Sequence, residues 1–148
     1  MIRKIYVQLT LMLVLSLALG LLTRLLTDNK SSSPSNTVHI TTYTVEEVVE
    51  VVDLALIIDV RSNSFYEQGH IAGAVNLPHD QFFSLPANFE TTLERASRSG
   101  KAIILYCAGT HCDDAEKACQ MLSQKGMKVG VYTGGWEEWS QLGFPTEP

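Results

Sequence analysis

Ala102-Ile103-Ile104-Leu105-Tyr106-Cys107 is an unbroken apolar run, and the polar loop Ala108-Gly109-Thr110-His111-Cys112-Asp113 follows it at once. Asp114 to Lys125 then carries a helical pattern, with Gly126 as its C-terminal stop. The run is expected to be a strand buried on both faces. Upstream, Leu54 to Val60 repeats that signature, and downstream Val129-Gly130-Val131-Tyr132 gives a third strand. Strands that alternate with helical patterns predict an α/β fold, a parallel β-sheet flanked by helices on both faces. In such sheets ligands gather at the carboxyl ends of the strands, where Cys107 falls. Loop amides and a helix N-terminus favour an anion there and can draw a thiol from about 8.5 into the range of roughly 3.5–7.5. The competing reading of Cys107 is a small core residue, since free cysteine is among the most buried types.

The remaining elements are shorter. Val38-His39-Ile40 is a strand candidate, and Thr44-Val45-Glu46-Glu47 is a capping box opening a helix through Asp53. Val45, Val48, Val49 and Val52 fall along one face of that helix. Ser64 to Gln68 reads as a short helix stopped by Gly69, and Ala74 to Leu77 as a brief strand ended by Pro78. Asp80 to Arg98 is helical but interrupted at Pro86, and a closing helix follows Gly134-Gly135.

Three stretches in order carry a resemblance. Ile57-Ile58-Asp59-Val60-Arg61 leads to Gly69-His70-Ile71-Ala72-Gly73-Ala74-Val75-Asn76-Leu77-Pro78. The Cys107 loop comes next, and Gly134-Gly135-Trp136-Glu137-Glu138-Trp139 precedes Gly143-Phe144-Pro145. The set resembles the rhodanese (sulfurtransferase) family from about Ile40 to Pro145. The resemblance implies the same α/β fold and makes Cys107 the carrier of a sulfane sulfur, with Ala108, Gly109, Thr110, His111, Cys112 and Asp113 as its binding loop. A thiolate takes the sulfur, holds it as a persulfide and yields it to a second nucleophile, which is covalent ping-pong chemistry. A sulfane donor and a thiol acceptor are the implied partners, and no cofactor, metal or separate general base is called for.

The loop departs from the usual family pattern. It lacks the frequent arginine or serine pair after the cysteine, runs about two residues longer, and ends in Asp113 and Asp114. These acids cap the helix and weaken attraction for a dianion such as thiosulfate, so a persulfide, polysulfide or protein thiol donor fits better. The related cell-cycle phosphatases need an arginine where Asp113 stands, which argues against phosphatase chemistry. A non-catalytic or thiol-redox module acting through Cys107 and Cys112 is the stronger rival. Cys112 is either a resolving thiol or a small loop residue, and the two cysteines can bridge if the loop allows. Cys119 is expected to be buried and inert. His111 is either a cation supporting a thiolate or an exposed loop histidine. Cys107, His111 and Cys112 have soft-metal character but no obvious fourth ligand. Arg61 is expected near the loop, orienting it or adding positive potential; Phe65 stands where its acidic partner belongs, with Glu67 as substitute. His70 is taken as structural, and Trp136 and Trp139 as packing beneath the loop.

At 148 residues the chain has room for one domain and an appendage. The 11 basic residues include three before residue 28, where there is no acid, so eight bases face 16 acids in the remainder. An acidic domain without a basic stripe speaks against nucleic acid. Arg3 and Lys4 precede an uncharged run from Ile5 to Leu22, nearly long enough to cross a bilayer of roughly 30 Å. Residues 1–27 are read as a signal-anchor, or as a signal peptide if cut near Ala18 or Gly20. The basic flank keeps the N-terminus cytoplasmic and exports the domain. Residues 28–37 form a flexible linker, and residues 38–148 the rhodanese-like domain.

Overall fold

The computed structural model describes residues 40–148, together with Met12. The expected N-terminal apolar helix, its membrane role and the linker lie outside these residues. Among the described residues no helix is long and apolar enough to cross a membrane. Val38–Pro148 forms one compact unit.

The main sheet contains β1 (Thr41–Tyr43), β2 (Leu56–Asp59), β4 (Val75–Asn76), β5 (Ile103–Tyr106) and β6 (Gly130–Tyr132). Their order across the sheet is β1-β6-β5-β2-β4, with every pair parallel. A second, two-stranded antiparallel sheet joins β3 (His70–Ile71) to β7 (Thr146–Glu147). The helices are α1 (Val45–Val51), α2 (Asn63–Tyr66), α3 (Ala87–Arg98), α4 (Asp114–Gln124) and α5 (Gly135–Gln141), with a 3-10 helix over His79–Ser84.

Alternation along β5 divides the interior into two layers, because successive strand side chains point to opposite faces. Ile103 and Leu105, continued by Cys107, pack with Leu93 and Ala96 of α3 and Ala115, Ala118, Cys119 and Leu122 of α4. Ile104 and Tyr106 face the other way, onto Val45 and Val48 of α1 and Trp139 of α5. All four residues of β5 are buried, as the unbroken apolar run predicts. The same alternation aims Cys107 at the α4 side, under the start of that helix.

The Thr44 capping box forms: Thr44 N donates to Glu47 Oε2 at 2.9 Å, and Glu47 N donates to Thr44 Oγ1 at 3.4 Å. Other expectations shift. The first strand lies at Thr41–Tyr43 rather than 38–40, because its partner is β6, with Thr41 opposite Gly130 and Tyr43 lying over that glycine. Val49 is exposed, so α1 buries only Val45 and Val48 fully. Leu54 is exposed in the turn after α1, where Leu54 N donates to Val51 O, and β2 begins only at Leu56. Pro86 splits the Asp80 to Arg98 segment into the 3-10 helix and α3, as its missing amide requires.

Candidate active site at the carboxyl end of the sheet

Cys107 follows β5 directly and is 5% exposed. The α5 N-terminus fixes the start of its loop: Trp136 N donates to Cys107 O at 2.9 Å and Glu137 N to Ala108 O at 2.8 Å. This close approach needs Gly135, whose φ is +62° and where a Cβ would lie 2.5 Å from Cys107 O and 3.0 Å from Gly109 N. Gly109 is similarly confined, since a Cβ there would meet the Glu137 carboxylate. Cys112 N then donates to Gly109 O at 3.0 Å, a turn that folds the loop back on itself.

The turn brings the two loop cysteines together. Cys107 and Cys112 form a disulfide with Cα atoms 6.1 Å apart, within the ordinary span of such bridges. Cys119 is the free cysteine; it is buried in α4, donates to Gly130 O at 3.3 Å, and its thiol is pushed up to about 12 by burial. The inert role expected for it fits this setting.

The acids at the loop end behave differently from expectation. Asp113 takes the N-cap position of α4, but its side chain makes no capping hydrogen bond. It pairs instead with Lys117 Nζ at 2.9 Å, and this hydrogen bond holds its carboxyl below the usual range. A charged partner one helical turn away outcompetes the weaker contact with neighbouring amides. Asp114 is the acid that reaches the sulfurs: one of its carboxylate oxygens and the two Sγ atoms all lie within 4.8 Å of one another. His79 Nδ1 stands 4.0 Å from Asp114 Oδ1, and Lys117 Nζ 3.8 Å.

His111 does not join that cluster. Its Nδ1 lies 3.2 Å from Thr110 Oγ1 on the exposed side of the loop, and among the described residues the two sulfurs are grouped with Asp114 rather than with His111. Arg61 is buried, and its acidic partner is neither at position 65 nor Glu67. Asp59 takes that role: Arg61 Nη2 donates to Asp59 Oδ2 at 2.6 Å and Arg61 Nε to Oδ1 at 3.0 Å. Glu67 instead accepts from Asn63 Nδ2, and Phe65 is exposed. Tyr106 Oη donates to Asp59 Oδ2 at 2.7 Å and accepts from Ile71 N, while Arg61 Nη2 also donates to Gly69 O. The Arg61 guanidinium lies 4.9 Å from the centre of the Trp136 ring. Arg61 therefore ties the upstream signature to α5, whose first turn anchors the start of the loop, with its charge balanced by Asp59. Asp59 and Tyr106 escaped the sequence reading, although Asp-Val-Arg carried a signal: residues two apart at a strand end share a side. His70 is structural as expected, stacked on Tyr66 at 3.6 Å between ring centres. Trp139 is buried, with its Nε1 donating to Pro145 O.

Two cavities meet at the sulfur pair. One, of about 620 Å³, is walled by Arg61, Phe65, His79, Trp136 and both loop cysteines. The other, of about 320 Å³, lies across the loop, between Thr110, His111, Glu116, Thr133 and the same two cysteines. The disulfide-linked Cys107 and Cys112 thus line both cavities at the carboxyl end of the sheet.

The Rhodanese-like domain family matches residues 44–142, and the chain belongs to it. A Bacillus halodurans protein of known structure is similar over 72% of this chain and 76% of its own, with 27% identity and a TM-score of 0.61. The thiosulfate sulfurtransferase of Pseudomonas aeruginosa shares the fold, at 23% identity and a TM-score of 0.56, over 74% of this chain and 20% of its own. The HTH-type transcriptional regulator Rv0324 of Mycobacterium tuberculosis is 32% identical over 91 residues, 62% of this chain. The chain spans only 37% of that curated relative's length.

Proposed function

We propose that the protein is a sulfurtransferase in which Cys107, when reduced, takes a sulfane sulfur as a persulfide and passes it to a thiol. The observation that carries this reading is Cys107 itself, at the end of buried β5, lining both cavities. The thiolate attacks the outer sulfur of the donor, and the donor's remaining group leaves with the electron pair. The amides of Thr110 and His111 donate to no acceptor among the described residues and remain for an anionic donor or the persulfide. Phe65, Trp136 and the Arg61 stem give the larger cavity an apolar wall, suited to the organic part of a persulfide or to a protein thiol. Asp114 beside the sulfurs disfavours thiosulfate. The proposal includes export of the domain behind the apolar N-terminal run.

The Cys107–Cys112 pairing favours a second reading, a thiol-redox module that exchanges its disulfide with a protein partner. One experiment separates them. The reduced protein is loaded with a sulfane donor and its cysteines are read by mass spectrometry, with turnover to cyanide or a thiol followed alongside. Sulfur on Cys107 and turnover abolished by Cys107→Ser, with folding intact, is the expected result. Undiminished activity of that variant refutes the transfer mechanism.

A further inference from the structure

We propose that Cys112 is the resolving thiol of the Cys107 persulfide, so that the protein reduces sulfane sulfur to sulfide within its own loop. The inference rests on the transfer reading above and adds a second activity, a dithiol-dependent sulfane reductase.

Three observations carry it. The Gly109–Cys112 turn folds the loop so that Cys112 Sγ bonds Cys107 Sγ, and in a persulfide that same Cys107 atom is the inner sulfur. Attack by Cys112 on it therefore needs no rearrangement of the chain beyond the bond already formed here. Cys112 is half-buried, Cys107 nearly fully, and both line the same two cavities, so the donor and the resolving thiol have access to one place. Finally, the only other cysteine is unsuited: Cys119 is buried in the α4 interior, bonded to Gly130 O.

The chemistry balances in three steps. Cys107 takes the outer sulfur from a sulfane donor and becomes Cys107–S–SH, and the donor's stub leaves. Cys112 Sγ then attacks Cys107 Sγ; the new S–S bond forms as the Sγ107–SH bond breaks, and the terminal sulfur departs as HS⁻. The proton lost by Cys112 is the one that the departing HS⁻ gains. The sulfane sulfur has been reduced to sulfide, and two thiols have been oxidised to the disulfide. An external dithiol then reduces the disulfide by exchange and is itself oxidised. A thiol five residues away in a folded loop competes with free thiols at an effective concentration of about the millimolar range or above, so internal resolution outruns transfer to dilute acceptors.

The test is a single turnover of the full chain, reduced with a dithiol, freed of it and kept anaerobic. The donor is benzenethiosulfonate, which leaves as a sulfinate and so supplies no thiol of its own. Wild type is expected to release stoichiometric sulfide and to lose its two loop thiols as the disulfide. Cys112→Ser is expected to gain the mass of one sulfur on Cys107 and to hold it, with sulfide release about 10²-fold slower until a dithiol is added. Cys112→Ala, with the same unfolding midpoint as wild type, guards against a misfolded serine variant. If Cys112→Ser carries the persulfide and wild type keeps it equally long, resolution by Cys112 is wrong and transfer from Cys107 stands. If neither Cys112 variant takes up sulfur on Cys107, the transfer reading itself fails, and this inference with it.

Discussion

Asp113 and Asp114 are neighbours in sequence with different electrostatic consequences. Asp113 is exposed and spends its charge on Lys117, whereas Asp114 turns its carboxylate toward the sulfur pair. A dianionic donor at Cys107 therefore meets Asp114 first, at a separation where unit charges still interact appreciably despite solvent. Asp114→Asn is expected to raise kcat/KM for thiosulfate by about threefold to tenfold at low salt. Asp113→Asn should change it little, and the difference should shrink at high ionic strength. Rates for both variants with thiosulfate and with an uncharged persulfide donor, at two salt concentrations, decide the matter. Equal effects of the two substitutions would refute the assignment. The buried Asp59–Arg61–Tyr106 network makes a second residue-scale prediction. Asp59→Ala leaves the Arg61 charge without its partner and is expected to cost about 3–5 kcal/mol. Tyr106→Phe removes a donor to Asp59 and an acceptor for Ile71 N, and is expected to cost about 1–3 kcal/mol. Denaturant unfolding measures both.

Among the elements, α5 contributes most to the site without supplying a nucleophile. Its first turn anchors the carbonyls of Cys107 and Ala108, and Gly135 permits the contact. Gly135→Ala forces a Cβ against Cys107 O and strains a left-handed backbone, a cost of about 1–2 kcal/mol from the backbone alone. The displaced loop should lose transfer activity by about tenfold to 10²-fold, more than the stability loss explains; full activity in a folded Gly135→Ala protein would show that α5 does not position the loop. The long elements were legible because their signals are local: β5 as an unbroken apolar run, α1 by its capping box, α4 between its loop and Gly126. What was missed depends on distant partners. The β3–β7 pair uses two residues per strand, too few to leave a period. β1 slid three residues because Gly130 and Tyr43 set its register. In the site, the position of Cys107 directly after β5 was legible from the apolar run, while its pairing with Cys112 was one of two open alternatives. The partner of Arg61 was sought further along the chain, while Asp59 stood two residues before it on the same side of the strand end.

At the scale of the whole molecule, alkaline pH weakens the fold through groups buried in their neutral forms. Burial pushes the Cys119 thiol up to about 12, and burial beside carboxylates raises the Tyr106 and Tyr132 phenols. The unfolded chain ionises these groups first, at about 8.5 for the thiol and about 10 for the phenols. Their stabilisation is therefore complete below those values and is lost as pH rises toward the folded ones, at about 1.4 kcal/mol per pH unit for each group. Cys119→Ala should flatten the decline between about pH 9 and pH 12; an unchanged slope would show that the thiol ionises without unfolding.

The charge distribution of the whole chain leads to the last prediction. Arg3 and Lys4 flank an uncharged run nearly long enough to cross a bilayer, and every acid lies after it. Positive residues resist translocation, so the N-terminus should remain in the cytoplasm and the acidic domain should cross. A domain that crosses would meet an oxidising environment, and the Cys107–Cys112 disulfide would then be the resting state of the loop. The domain would then work only where a dithiol reductant reaches it from the membrane or the exterior. Two fusions after Pro148 read the topology, one to a reporter active only outside the cytoplasm and one to a reporter active only within it. The exterior reporter should be active, and trapping of free thiols in intact cells should find Cys107 and Cys112 unlabelled until reductant is added. Activity of the cytoplasmic reporter alone, with both loop thiols labelled, would reverse the topology and remove the need for an external dithiol.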